Sequence, residues 1–156
     1  MKSLIVLQGN FKSDNFDLLV KGKIKEVFLL EGRPSLEAAR RSSRELLKRK
    51  IIPTIVADNM AGFLFARGLV KEVWMAYQMA DQNGAVCFIG GLILGVLAKK
   101  HKVSVILHRS AERSPFVAKQ EEIFSFNGVR TAPEGIRGYV PLVEWVPKKY
   151  ITKRYE

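Results

Sequence analysis

Five short apolar runs, each closed by a polar signature, constrain this chain more than any other feature. They are Leu4-Ile5-Val6-Leu7, Val27-Phe28-Leu29-Leu30, Thr54-Ile55-Val56-Ala57, Val73-Trp74-Met75-Ala76 and Val103-Ser104-Val105-Ile106-Leu107. Continuous apolar runs of this length, separated by helical patterns, read as strands of a parallel sheet buried on both faces. The signatures that close them are Gln8-Gly9-Asn10, Glu31-Gly32-Arg33-Pro34, Asp58-Asn59, Gln78 and His108-Arg109. Ligands bind outside the carboxyl ends of such strands, so these clusters are expected to line one edge and carry the function.

The segments between the runs supply helices. Asp14 to Gly22 reads as a short helix closed by its glycine. Ser35 to Lys50 is the clearest helix: Ser35 is placed to cap it after Pro34, and Leu36, Ala39, Ser43, Leu46 and Leu47 fall on one face. Its other face carries Arg40, Arg41, Arg44, Lys48 and Arg49, partly neutralised by the i,i+4 pairs Glu37–Arg41 and Glu45–Arg49. Met60 to Arg67 reads as a brief helix ended by Gly68. Ala85 to His101 reads as one apolar helix, buried by the core and by a second subunit, with Gly91 and Gly95 allowing close approach. Residues 110–138 are polar and punctuated by Gly and Pro, an excursion with a short helix near Pro115 to Glu122. Val140 to Pro147 reads as a last extended segment before a basic tail.

A length of 156 residues fits one domain, and 47% hydrophobic with 26% charged residues makes it globular. A single cysteine excludes an internal disulfide and points to a reducing compartment. Met1-Lys2-Ser3 leads into a strand without a cleavage pattern, and the apolar stretch from Ala85 to Ala98 is too short for a bilayer. A cytoplasmic protein without membrane association is expected. Two histidines and one cysteine at unrelated spacing argue against zinc, and no Walker loop or Gly-x-Gly-x-x-Gly is present, so no metal or cofactor is expected. The net charge of +11 favours polyanions: nucleic acid, phosphorylated metabolites or an acidic protein surface. Because the charge is dispersed along the chain, a solvated surface is the plainer reading.

At residues 31–61 the chain resembles the initiation factor 2B alpha/beta/delta and methylthioribose-1-phosphate isomerase family. Members carry Glu-Thr-Arg-Pro, a Gly-Ala-Arg helix, then Asp-Asn or Asp-Ser after the next strand. Glu31, Arg33, Pro34, Ala39, Arg40, Asp58, Asn59 and Met60 match, while Gly32 departs from the usual Thr or Ser. Asn83-Gly84, Ile89-Gly90 and Leu97-Ala98-Lys99 match further motifs, and Pro141, Glu144, Pro147 and Ile151 follow the closing motif. The resemblance implies an α/β fold, a Rossmann-like parallel sheet with helices on both faces. It makes residues 1–156 a single domain equivalent to the family's carboxyl-terminal one, with the helical amino-terminal domain expected to be absent. It also implies a homodimer formed through this domain.

The same resemblance bears on chemistry, which has to be argued at the site rather than from the fold. The family's isomerases use a cysteine after the first strand and an aspartate after the fourth. Those positions fall on Gly9 and Gln78. Glycine has no side chain and an amide does not titrate near neutral pH, whereas aldose–ketose isomerisation needs a group that accepts and returns a proton. The family's Asn-Lys before Ile-Gly is replaced by Cys87-Phe88. The expectation is therefore a non-catalytic binding or regulatory module with no catalytic residues.

The remnant pocket is expected to hold Asn10, Glu31, Arg33, Asp58, Asn59 and Gln78, with Arg33 as anion donor for a phosphorylated small molecule. Two further readings stand beside this one. One is a divergent sugar-phosphate enzyme with Asp58 or Glu31 as base, set against a loop-organising role for those carboxylates. The other is a basic nucleic-acid- or ribosome-associated module, and a protein partner is also compatible with the charge. His108 follows a strand, so ligand contact and a hydrogen-bonded loop role are both open. Cys87, among apolar neighbours, reads as buried packing, and His101 as a solvated helix end. Whether the pocket is open or plugged by Phe88, Tyr77 or residues 110–138 is left to the fold.

Overall fold

A computed structural model describes residues 4–156. Its frame runs β1 (Leu4–Gln8), α1 (Asn15–Lys21), β2 (Val27–Leu30), α2 (Glu37–Lys48), β3 (Thr54–Val56), α3 (Ala61–Ala66) and β4 (Val70–Ala80). It continues through β5 (Gly84–Phe88), α4 (Gly91–Lys100) and β6 (Ser104–Arg109). All five apolar runs are strands, mutually parallel, in the spatial order β3-β2-β1-β4-β6. Lys153–Arg154 adds a short parallel strand beyond β6. The order reverses between β1 and β4, which is the switch point where a doubly wound sheet opens a crevice.

Side-chain alternation sorts the strands onto two cores. Leu4 and Val6 of β1 join Val73 and Met75 of β4 beneath α3 and α4, with Leu64, Phe65, Leu94 and Ala98. Ile5 and Leu7 join Trp74 and Ala76 on the other face, beneath Phe16 and Leu19 of α1 and Leu46 of α2. This period of two with apolar residues at both phases is what a sheet covered by helices on both faces requires.

The four helix-to-strand turns share one geometry. The amides of Ile24, Ile51, Leu69 and Val103 bond back to the carbonyls of Leu19, Leu46, Leu64 and Ala98. Each is a Schellman turn whose preceding residue has positive φ, a position that favours glycine. Gly68 holds it after α3, but Lys23 (φ 53°), Lys50 (φ 60°) and Lys102 (φ 55°) hold it after α1, α2 and α4.

The expected helix from Ala85 to His101 is split. Residues 84–88 form β5, antiparallel to β4 on one side and to the strand Val143–Pro147 on the other, and only Gly91–Lys100 is helical. The cause is the turn Asp81-Gln82-Asn83-Gly84, where the Asp81 carboxylate accepts the Asn83 and Gly84 amides (2.6 and 3.2 Å) and starts a hairpin. Gly91 and Gly95 do permit close approach, but to this chain: a Cβ at Gly95 would meet Tyr150 at 2.9 Å, and one at Gly91 would meet Cys87 at 3.1 Å.

Helix α2 begins at Glu37, preceded by Leu36 in the left-handed region, with Ser35 Oγ accepting the Glu37 amide at 3.3 Å. It buries Ala39, Ser42 and Leu46 while Leu47 is exposed. Of its expected pairs, Glu45–Arg49 forms at 2.8 Å, whereas Arg41 reaches Glu112 in the excursion at 2.5 Å. The excursion holds short strands and a 3-10 turn at Gln120–Ile123 rather than an α-helix. No helix among the described residues is long and apolar enough to cross a membrane.

Candidate functional site

The carboxyl ends of β1, β2 and β3 converge on a cavity of about 260 Å³. Its inner wall is the segment 8–10, where the chain leaves β1. Gly9 has φ +101°, and a Cβ there would lie 2.8 Å from the Ala76 Cβ and 2.8 Å from the Phe88 ring. Phe88 ends β5, which lies beside β4 beyond the point where β1 stops. The phenyl ring thus fills the volume that any side chain at position 9 would need.

Asp58 builds the second wall. At the start of the turn after β3, its carboxylate accepts the Gly32 amide (2.9 Å) and the Arg33 amide (2.8 Å). Two adjacent backbone donors into one carboxylate fix the loop after β2, and both oxygens are occupied by that task. The loop then turns through a cis Arg33–Pro34 peptide, and the Arg33 guanidinium lies 4.1 Å above the Phe126 ring. The outer wall comes from the excursion, through Glu112, Arg113, Ser114, Pro115 and Glu122.

Gln78 ties that wall down. Buried at the end of β4, its Oε1 accepts the Ser114 amide at 2.9 Å and its Nε2 donates to the Ser114 carbonyl at 3.3 Å. A similar bond anchors the floor, where Gln8 Nε2 donates to the Ile89 carbonyl at 2.7 Å. Behind it, the Glu144 carboxylate accepts the Gly90 and Leu92 amides (2.7 and 3.0 Å) and caps α4. Most polar groups at this edge therefore hold chain to chain.

Of the seven residues expected here, Asn10, Arg33 and Asp58 border the cavity. Glu31 stands one residue before Gly32 with its amide on the Val56 carbonyl, Asn59 is exposed, and neither borders it. Asp58 and Glu31 are therefore not paired across it. Gln78 acts from behind the wall.

His108 is fully buried and turned away from the cavity, stacked on Tyr155 at 5.1 Å and 4.3 Å from the Trp74 ring. Neither ring nitrogen has a hydrogen-bond partner among the described residues. Burial, reinforced by Lys153, pushes its pKa down to about 4 and keeps the imidazole neutral. Burial, with Glu144 nearby, pushes the Cys87 thiol up to about 12. His101 is half-buried with its ring 5.6 Å from Phe65, not a solvated end. Tyr77 points to the opposite core and donates to the Tyr155 carbonyl at 2.9 Å, so it plugs nothing.

Sequence reasoning did not pick out Ser35, Glu37, Glu112, Arg113 and Glu122, which also border the cavity. No local pattern marks the last three; they arrive because residues 110–138 fold back over the strand ends. The bordering charges are four carboxylates and the guanidinium groups of Arg33 and Arg113. Among the described residues no histidine, cysteine or lysine borders it, so its candidate proton carriers are carboxylates. Two of these, Asp58 and Glu112, are engaged by backbone amides and by Arg41.

Residues 16–154 match the Initiation factor 2 subunit family. The chain belongs to that family. Among its relatives are a methylthioribose-1-phosphate isomerase from Thermus thermophilus, 35% identical over 148 residues, and a 5-deoxyribose 1-phosphate isomerase from Moorella thermoacetica, 32% identical over 149. These alignments cover 84% and 88% of this chain but 43% and 42% of the relatives, so the chain spans less than half their length. Among solved structures, a 5-methylthioribose 1-phosphate isomerase from Pyrococcus horikoshii superposes with a TM-score of 0.83 at 24% identity. It matches 98% of this chain and 49% of that one. The translation initiation factor eIF-2B subunit delta from A. fulgidus superposes at 0.84 and 19%, over 97% and 51%. At these identities the structural matches establish the Rossmann-like fold, and the family model establishes membership.

Proposed function

We propose that this chain is a non-catalytic member of the Initiation factor 2 subunit family that binds a small phosphorylated metabolite in the cavity at the ends of β1–β3. The observation that carries the reading is the interlock of Gly9 and Phe88. The position that resembles the isomerases' cysteine has positive φ, and its Cβ volume is filled by a ring. Where the resemblance places the aspartate, the Gln78 amide is committed to the Ser114 backbone. Arg33 and Arg113 remain as anion donors beside Asn10 and Ser35, which suit hydroxyl groups. The competing enzyme reading is weaker, because Asp58 is engaged in the loop and Glu31 stands outside the cavity.

The test is calorimetry with methylthioribose 1-phosphate and ribose phosphates on the full chain, beside a turnover assay. The expected result is binding without conversion, weakened about 10-fold or more in Arg33→Gln. Conversion of either sugar phosphate would overturn the non-catalytic reading, and unchanged affinity in Arg33→Gln would overturn the site. Self-association belongs to the same proposal: α3 and α4 touch, and expose Phe63, Ile93 and Val96. Ile93→Glu is expected to convert a dimer to a monomer in sedimentation.

A further inference from the structure

The charge that is dispersed along the chain is gathered in space. The turns that leave the four helices and enter β2, β3, β4 and β6 all lie on the amino edge of the parallel sheet, opposite the cavity. Lys21, Lys23 and Lys25 occupy the first turn, and Lys48, Arg49 and Lys50 the second. Arg67 and Lys71 flank the third; Lys99, Lys100 and Lys102 occupy the fourth. Eleven of the 26 Lys and Arg residues stand here against Glu26 and Glu72, and Glu45 and Asp17 pair with Lys48 and Arg49, so this edge holds seven of the eleven net positive charges. All eleven except Arg49 are exposed.

Helix dipoles account for part of this pattern, since cations are favoured at helix carboxyl ends. They do not account for Lys23, Lys50 and Lys102. These three sit at the left-handed position of equivalent turns, where glycine is favoured and the fourth turn does use glycine. A lysine occurring three times at a position that penalises a side chain points to a use for its charge.

We propose that the amino edge of the sheet binds the phosphate backbone of double-stranded nucleic acid. The five strand entries span four strand spacings, about 19 Å, which matches roughly eleven phosphates along a duplex. The turns carry no Phe, Tyr or Trp, so the surface offers no platform for stacking unpaired bases. Lysines supply charge without the planar fork that reads base edges, so the contact is expected to be independent of sequence. An anionic membrane fits less well. The exposed aliphatic side chains beside these turns, Val20, Leu47, Ile52 and Leu69, are divided among three turns and include no aromatic anchor.

The test is fluorescence anisotropy of the full chain with a labelled 20-base-pair RNA duplex. Unlabelled single strand and phosphatidylserine vesicles serve as competitors. Binding at 50 mM salt is expected to weaken roughly 500-fold by 200 mM, the dependence for about five neutralised phosphates. The triple variant K23G/K50G/K102G removes three charges at positions that suit glycine, so it keeps the fold. It is expected to lose at least 10-fold in affinity and to flatten the salt dependence. The triple variant K12Q/K119Q/R137Q, away from this edge, is expected to change affinity less than 3-fold. No binding at 50 mM, equal losses in both variants, or stronger competition by single strand or vesicles would each overturn the proposal.

Discussion

The two edges of one sheet handle polar side chains in opposite ways. At the carboxyl edge Asp58, Gln78, Gln8 and Glu144 each bond to backbone groups of another segment, and Phe88 packs into the space over Gly9. At the amino edge short turns repeat one hydrogen-bonding pattern and leave their lysines in solvent. The carboxyl edge is built of loops of unequal length that must be fastened to one another. The amino edge is fastened by its own turns and by the pairs of Lys48 and Arg49 with Glu45 and Asp17, and its lysines at the left-handed positions stand exposed.

The comparison predicts opposite signs for substitutions at the two edges. The largest effect is expected for Gly9→Ala, which combines positive φ with contacts at 2.8 Å to Ala76 and Phe88. Chemical denaturation is expected to show a loss of about 3–4 kcal/mol. A change below 1 kcal/mol would mean the Gly9–Phe88 interlock is loose enough to readmit a side chain. Asp58→Ala follows, at about 2–3 kcal/mol, because two amides lose a charged acceptor. It is also expected to disorder the loop carrying Arg33, visible as faster amide exchange at Gly32 and Arg33.

His108 sharpens the contrast within the carboxyl edge, because β6 ends in packing rather than in the cavity. Its folded pKa of about 4 lies below the ordinary 6.5. The unfolded chain therefore takes up a proton first as pH falls, and stability is lost on going down through that window. Between pH 7 and pH 5 the loss is expected to be about 2 kcal/mol, and His108→Phe is expected to remove most of it. A pH-independent wild type over this range would show that the imidazole finds a polar partner.

The smallest effect carries the opposite sign. Lys23→Gly, Lys50→Gly and Lys102→Gly are each expected to stabilise the fold by up to about 1 kcal/mol, since glycine relieves the left-handed backbone. If thermal unfolding shows all three destabilising, the lysines are part of the structure rather than a surface held at its expense. The distinction between the edges would then fail.

The runs around Leu7, Leu29, Trp74 and Ile106 were legible because a strand buried on both faces needs consecutive apolar residues. The run around Ile55 reads the same way, although β3 is the edge strand and Ile55 is exposed. The strand Gly84–Phe88 was not, because an apolar run beside a helix looks the same in either conformation until its pairing partner is known. That partner, Val143–Pro147, lies more than fifty residues on. Arg33, Asp58 and Asn10 were readable as strand-end residues. Glu112, Arg113 and Glu122 depended on the path of an excursion with no periodicity of its own.

By itself the sequence determined the five parallel strands, the helices between them and the family, because burial and periodicity are written locally. Two things were decided only by the tertiary structure. The ring of Phe88 meets Gly9 because β5 lies where β1 ends, a contact 79 residues apart along the chain. The positive charge looked dispersed because it recurs once per helix. A parallel sheet returns each helix to the same edge, and that geometry turns four separate turns into one basic surface.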